Sequence, residues 1–385
     1  MSTERIGDIL EKRIGLSPES IGPQSLEKAI KRRLSALGLS DGQAYLKLLQ
    51  SSANELERLI EVAVIPETWF FRLKRSFDFL SDYAASYCSK TNEKLSILDI
   101  PCSTGEEAYS IAMTLCSAGL SPGCFNIQAV DISSRALHKA QKGLYNPGSF
   151  RGSVQEDKIE TYFEFQKGKY IIKDHIKQMV TFSQGNILQI NSLPSPGPYQ
   201  IIFCRNLMIY LSPKAQKEAI NNLKSILKPE GLVFVGHVER PVFEAWGFEM
   251  LDNQGAFVCV RARSKKQLQK VLPQKSSLKG GRQAQPEGQK RVKPSFQALN
   301  KEKTSASTSH KRVSSPDSGN KDQHSMDYVH SLLNEAWQLA DQGNLDEALN
   351  DCQIALKHSP TDTRAHFLMG LIHQALNDIN SAEKD

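Results

Sequence analysis

The first place in this chain where residue types and spacing could do chemistry is the end of an apolar run. Residues 95–100 (LSILDI) hold Asp99, then Pro101, Cys102, Ser103, Thr104 and Gly105 lead into Glu106 and Glu107. A loop that follows a buried strand can bring its backbone close to a ligand. A dinucleotide would need G-x-G-x-x-G to admit its pyrophosphate, and only Gly105 is present, which disfavours NAD and FAD. Asp131 ends a second apolar segment, where a carboxylate can hold a ribose diol. Glu106 and Glu107 open a helix whose dipole favours carboxylates, with simple helix capping the alternative for either. Asn186 precedes Ile187 and Leu188, and Arg205 with Asn206 emerges just past 200–204, a polar cluster that requires partners if buried. A ribose carboxylate, polar groups for an adenine and room for a positive sulfur beside a carboxylate together suit a sulfonium nucleoside.

These residues need a parallel sheet to carry them. Strand, turn and helix signals at 95–100, 103–105 and 106–118 precede a strand at 126–131 and a helix at 133–142, a βαβ unit. A strand at 199–204, a helix at 213–227 stopped by Pro229 and Gly231, and a strand at 231–237 continue a doubly wound α/β fold. The alternation in 247–262 around Asn253 and Gly255 predicts an antiparallel edge pair. Between the sheet halves, 148–182 with a turn at Gly168 predicts a small inserted antiparallel subdomain that includes MVTF. Ahead of the sheet, Leu26, Ile30, Leu34 and Leu37, then Leu56, Leu59, Ile60 and Ala63, repeat at helical spacing.

Composition divides the chain further. Residues 264–325 are almost devoid of apolar runs and carry 14 Lys and Arg against 4 Asp and Glu, so the net charge of +6 leaves −4 elsewhere. That stretch is expected to be a disordered basic linker, either a solvated spacer or a tether that dwells near acidic partners. The charge is therefore weak support for nucleic-acid binding. After it, Ala336 and Gly370, and Ala348 and Ala382, are each 34 residues apart, the period of tetratricopeptide hairpins, with the last repeat incomplete at Asp385. Seven Cys without dense spacing read as free thiols. The expected domains are 1–87 helical, 88–263 cofactor-binding with 148–182 inserted, 264–325 linker and 326–385 repeats. With no stretch of 18 apolar residues, the expected compartment is the cytoplasm.

Five segments carry a resemblance: PETWFFR (66–72), STGEEAYSIA (103–112), AVDIS (129–133), IFCRNLMIY (202–210) and LKPEGLVFVGH (227–237). Over about residues 5–262 the chain resembles the bacterial chemotaxis receptor methyltransferase (CheR) family, variants of which carry C-terminal tetratricopeptide repeats. The resemblance implies a Rossmann-like class I methyltransferase sheet, S-adenosyl-L-methionine as cofactor, S-adenosyl-L-homocysteine as product and no metal. It implies cofactor contacts at Thr68, Arg72, Glu107, Asp131, Asn186, Ile187, Arg205 and Asn206. The residues alone had already pointed to Glu107, Asp131, Asn186, Arg205 and Asn206. Two departures stand out. Pro66 replaces a common Asn and so removes a side-chain amide and a backbone N–H, and Ala108 mildly replaces a first-turn proline.

The implied reaction esterifies glutamate side chains of a methyl-accepting chemoreceptor or a related acidic helical protein. The glutamate nucleophile is already ionised at neutral pH, so alignment and water exclusion matter more than a general base. Arg72 is expected to anchor the cofactor carboxylate or the incoming glutamate, and Tyr210 to line the methyl channel. A basic face formed by Lys28, Lys31, Arg32 and Arg33 is expected to dock the acidic substrate, with a plain solvated face as the alternative. The repeats would recruit a further protein, and contact with membranes would be peripheral, through receptor complexes. Competing readings are a noncatalytic cofactor-binding scaffold and an RNA or small-molecule methyltransferase; the latter lacks an RNA-binding module, and no specific nucleic-acid partner is expected.

Overall fold

A computed structural model describes residues 2–64, 66–91, 93–150, 156–193, 197–251 and 255–262, and parts of 329–373. Five helices begin the chain: α1 (Ser2–Ile14), α2 (Pro18–Ile21), α3 (Pro23–Leu37), α4 (Gly42–Ser51) and α5 (Ala53–Ala63). Their starts are set by caps. Ser17, Asp41 and Ser52 each accept a backbone N–H from the first turn they precede. Ile6, Leu10, Leu26, Ile30, Leu46 and Leu59 converge into one apolar core. Within it Glu55 is buried, takes Arg33 through Nε at 2.8 Å and Nη2 at 2.9 Å, and accepts the Tyr45 hydroxyl at 3.0 Å.

That pairing corrects the basic face read from the sequence. Lys28, Lys31 and Arg32 are exposed, but Arg33 turns inward to Glu55 and is a structural residue. The reason is angular: Arg33 follows Ala29 by four residues and Ile30 by three, which puts it on the buried stripe.

Helix α6 (Lys74–Lys90), expected within the helical domain, packs instead on the sheet, with Phe77, Leu80, Tyr83, Ala84 and Tyr87 in the sheet's core. The chain then runs through β1 (Leu95–Asp99), α7 (Glu106–Ser117), β2 (Phe125–Asp131), α8 (Ser134–Lys142), β3 (Leu144–Tyr145), α9 (Glu156–Tyr162), β4 (Phe163–Gln166), β5 (Lys169–Ile172), α10 (Asp174–Lys177) and β6 (Val180–Gln184). After it come β7 (Tyr199–Phe203), α11 (Pro213–Ile226), β8 (Leu227–Phe234), α12 (Arg240–Ala245), β9 (Phe248–Met250) and β10 (Val258–Arg261). The main sheet has the order β6-β2-β1-β7-β8-β10-β9, its first five strands parallel and its last two antiparallel additions. Both faces are covered, so β7 is buried along its whole length. Strand order reverses between β1 and β7, and a ligand crevice belongs beyond that switch point.

The inserted sheet is real, in the order β3-β5-β4, but it starts at Leu144 and excludes the MVTF segment. Val180–Gln184 instead pairs in parallel with β2 as the edge of the main sheet. Of the predicted edge-pair turn, Asn253 lies outside the described residues. So do the expected linker, 264–325, and the end of the expected second repeat, 374–385. Near the C-terminus, α13 (Leu345–His358) and the described parts of 329–340 and 364–373 are helical. Ala336, Ala348 and Ala355 are fully buried there, in a cluster that also takes in Ile209 and Val238 of the sheet domain. No described helix is long and apolar enough to cross a membrane.

Candidate active site

The loop after β1 is shaped by two left-handed residues, Ser103 (φ 47°) and Gly105 (φ 93°). A Cβ at Gly105 would meet Ala140 Cβ at 2.7 Å, so only glycine lets α7 start this close to α8. The two glutamates that open α7 then separate in role. Glu106 accepts Thr104 Oγ1 at 2.6 Å and Ser149 Oγ at 3.1 Å, which ties the loop after β1 to the segment after β3. Glu107 faces the crevice and takes Arg205 Nη1 at 2.5 Å, while Arg205 Nη2 donates to the Arg72 carbonyl at 2.9 Å.

At the end of β2, Asp131 accepts Ser103 N–H at 2.7 Å and Ser133 N–H at 2.9 Å. Burial raises its pKa from the ordinary value, and these backbone bonds work in the opposite direction. Asn186 donates through Nδ2 to the Arg13 carbonyl at 3.2 Å and caps Leu188 N–H, which ties the loop after β6 to α1; Ile187 beside it is buried. Thr68 and Arg72 lie on the segment before α6. That segment is pinned by Phe70 N–H on the Ser149 carbonyl and Phe71 N–H on Ser110 Oγ, both 2.9 Å, with the Phe70 ring against Tyr145, Phe150 and Phe163. The Arg72 guanidinium sits 4.3 Å from the centre of the Trp69 ring. The small inserted sheet therefore acts as a buttress for this segment.

Tyr210 lies past β7 in a loop stitched to the helical domain. Ser17 N–H donates to its carbonyl at 2.8 Å, and Ser212 N–H donates to Gly15 at 2.9 Å. A Cβ at Gly15 (φ 74°) would meet Ala215 Cβ at 2.5 Å, so this close seam requires glycine.

One cavity is lined by Thr68, Arg72, Glu107, Asp131, Asn186, Ile187, Arg205, Asn206 and Tyr210. Its wall is completed by Pro66 and by Ile14, Leu16 and Ile21 of the helical domain. Lys28, Lys31, Arg32 and Arg33 do not line it. Ser103 Oγ and Asn206 Nδ2 are buried without a hydrogen-bond partner among the described residues. Such polar atoms at a polar and apolar crevice fit a bound nucleoside. Among the described residues no group of three or more His, Cys, Asp or Glu is placed to hold a metal ion.

Two residues escaped the sequence reading. Glu239 is fully buried and accepts four backbone N–H groups, from Asn206, Leu207, Met208 and Gly236, at 2.6 to 2.8 Å. It holds the loop from Arg205 to Tyr210, in which Asn206 adopts φ 59°. Glu61 of α5 accepts Ser133 Oγ at 2.5 Å, Ser134 Oγ at 2.8 Å and Arg135 N–H at 3.2 Å, joining the helical domain to the Asp131 loop. Glu239 had no sequence signal, because every partner it holds is a backbone N–H.

A sheet in this order, with an acidic residue ending its second strand and a polar crevice at the switch point, defines a class I S-adenosylmethionine-dependent methyltransferase. Residues 66–254 match the CheR methyltransferase SAM-binding domain, and residues 1–62 the CheR methyltransferase all-alpha domain. The chain belongs to the CheR methyltransferase family. A relative from Pseudomonas putida, "Probable biofilm formation methyltransferase WspC", is 31% identical over 99% of this chain and 88% of its own length. The protein of the same description from Pseudomonas aeruginosa is 37% identical over 66% of this chain, and the match spans 61% of that relative. The "Chemotaxis protein methyltransferase" of Salmonella typhimurium is 32% identical over 61% of this chain and 82% of its own.

Proposed function

We propose that this chain transfers a methyl group from S-adenosyl-L-methionine to glutamate side chains of an acidic, helical, chemoreceptor-like protein in the cytoplasm. Support comes chiefly from one observation. Arg72, Glu107, Asp131, and Arg205 with Tyr210, drawn from four separate segments, face one cavity at the switch point of a sheet with CheR family membership. Thr68, Arg72, Glu107, Asp131, Asn186, Ile187, Arg205 and Asn206 would hold the cofactor. Bound there, it supplies an electrophilic methyl group. The chain's own residues orient the acceptor carboxylate and keep water out, since a glutamate of pKa about 4.3 needs no base to ionise it. Arg72 offers the acceptor a cation and Tyr210 borders the channel. Pro66, exposed at the rim, gives up a side-chain amide and weakens the cofactor's grip without removing Thr68 or Arg72.

The helical domain offers Lys28, Lys31 and Arg32 to an acidic substrate. Residues 264–325 act as a basic tether, and 326–385 as a tetratricopeptide docking module for a further protein. A second reading of that module, as a brake on the site, is favoured by the burial of its helices with Ile209 and Val238, which border Tyr210. Incubation with labelled cofactor and an acidic helical substrate is the test. A base-labile methyl ester is the expected product, whereas stable methylation of RNA or an amine, or no transfer despite binding, supports the competing readings.

A further inference from the structure

Asp99, at the end of β1, is fully enclosed, and neither carboxyl oxygen meets an N–H or hydroxyl donor among the described residues. Beside it stands another acid, Glu107. Around the pair stand Arg205 from the loop after β7, Asp131 at the end of β2, and the buried thiols of Cys102 and Cys204. Arg205 is the one cation among these neighbours, and its Nη1 is committed to Glu107 at 2.5 Å.

A fully enclosed carboxyl with no N–H or hydroxyl donor, beside a second acid that already holds the neighbouring guanidinium, takes up a proton. A shared proton converts their repulsion into a hydrogen bond. Glu107 keeps the arginine and borders the cavity, so the proton resides on the deeper acid. We infer that Asp99 is a neutral carboxylic acid at physiological pH that donates a hydrogen bond to Glu107, making it a positioning residue for Glu107 and Arg205 in the cofactor cavity. Burial, reinforced by Glu107 beside it, pushes the Asp99 carboxyl well above the ordinary carboxylate range. The positioning role rests on the cofactor reading above, whereas the protonation state does not.

The decisive variant is Asp99→Asn, whose amide also donates to Glu107 but never ionises. A carboxyl whose pKa is raised on folding costs the folded state progressively more as pH climbs from the unfolded value toward the folded one. The Asn variant has no such cost. The Tm of D99N minus that of the wild type should therefore grow steadily from about pH 5 to about pH 8. Infrared difference spectra at about pH 7.5 should show a carboxylic-acid C=O band in the wild type that D99N lacks. S-adenosyl-L-homocysteine should bind Asp99→Leu, which offers Glu107 no donor, about tenfold or more weaker than the wild type, and D99N should restore most of that loss. A Tm gap independent of pH, or a missing acid band, overturns the neutral Asp99, and a D99L affinity equal to the wild type, or a D99N affinity no better than that of D99L, overturns its positioning role. Failure of the wild type to bind S-adenosyl-L-homocysteine overturns the cofactor reading and the positioning role together, while the spectra and the Tm series still decide the proton.

Discussion

Asp131 spends both its oxygens on backbone N–H groups from two loops, Ser103 and Ser133, and still faces the cavity. It builds the wall against which the ribose of the proposed cofactor would lie. Asp131→Ala should lower affinity for S-adenosyl-L-homocysteine by about 10- to 100-fold, in line with about 1.5 to 3 kcal/mol for hydrogen bonds to a charged group. Calorimetric titration checks this, and unchanged affinity would remove Asp131 from the site. Arg33 behaves differently because its partner is structural. Arg33→Ala leaves Glu55 buried beside a hydroxyl alone and should cost about 1 to 3 kcal/mol in chemical denaturation, with cofactor affinity in the folded enzyme unchanged. Lys28, Lys31, Arg32 and Arg33 look alike in a sequence run of positive charge. Only the helical angle relative to Ala29 and Ile30 tells that one of them points inward.

The loop between β7 and α11 shows what a buried carboxylate does for an element. Three successive N–H groups and a fourth from Gly236 converge on Glu239, and a glutamine there would turn its NH2 toward donors. Glu239→Gln should lower stability by about 2 to 3 kcal/mol and weaken cofactor binding as well, because Arg205, Asn206 and Tyr210 ride on that loop. Thermal unfolding and titration on the same preparation check the two effects, and a loss of stability with unchanged affinity would confine Glu239 to scaffolding. Apolar runs made β1, β2, β7 and β8 readable, as did the carboxylates and amides at their ends, because buried parallel strands write continuous apolar text. The edge strand Val180–Gln184 was not readable as part of the main sheet: it is short and half-exposed, and its partner β2 lies far off in sequence. Glu239 stayed hidden because its partners are backbone groups, which carry no residue-type signal. Asp99 was visible as an acid, but its enclosure without a donor depends on packing that sequence does not show.

At the scale of the molecule, the helical domain and the sheet share the cavity through Ile14, Leu16 and Ile21 and are latched by Glu61 and by the Gly15–Ser212 seam. If the exposed Lys28, Lys31 and Arg32 form the proposed docking face, opposite charge would guide an acidic substrate to it. Reversing these three to Glu should raise KM for the protein substrate at low salt and leave cofactor affinity unchanged; an unaltered KM would assign docking elsewhere. Deleting 264–385 should preserve cofactor binding and esterification of saturating substrate while reducing modification of scarce substrate, as lost tethering implies. A faster purified truncation would instead assign the helices packed at Ile209 and Val238 a braking role. The most direct test of the whole account is to incubate the purified chain with methyl-labelled S-adenosyl-L-methionine and an acidic helical receptor fragment, then treat the product with mild base. Label released as methanol from glutamate is the predicted result, and cofactor binding without any base-labile label on the protein would contradict it.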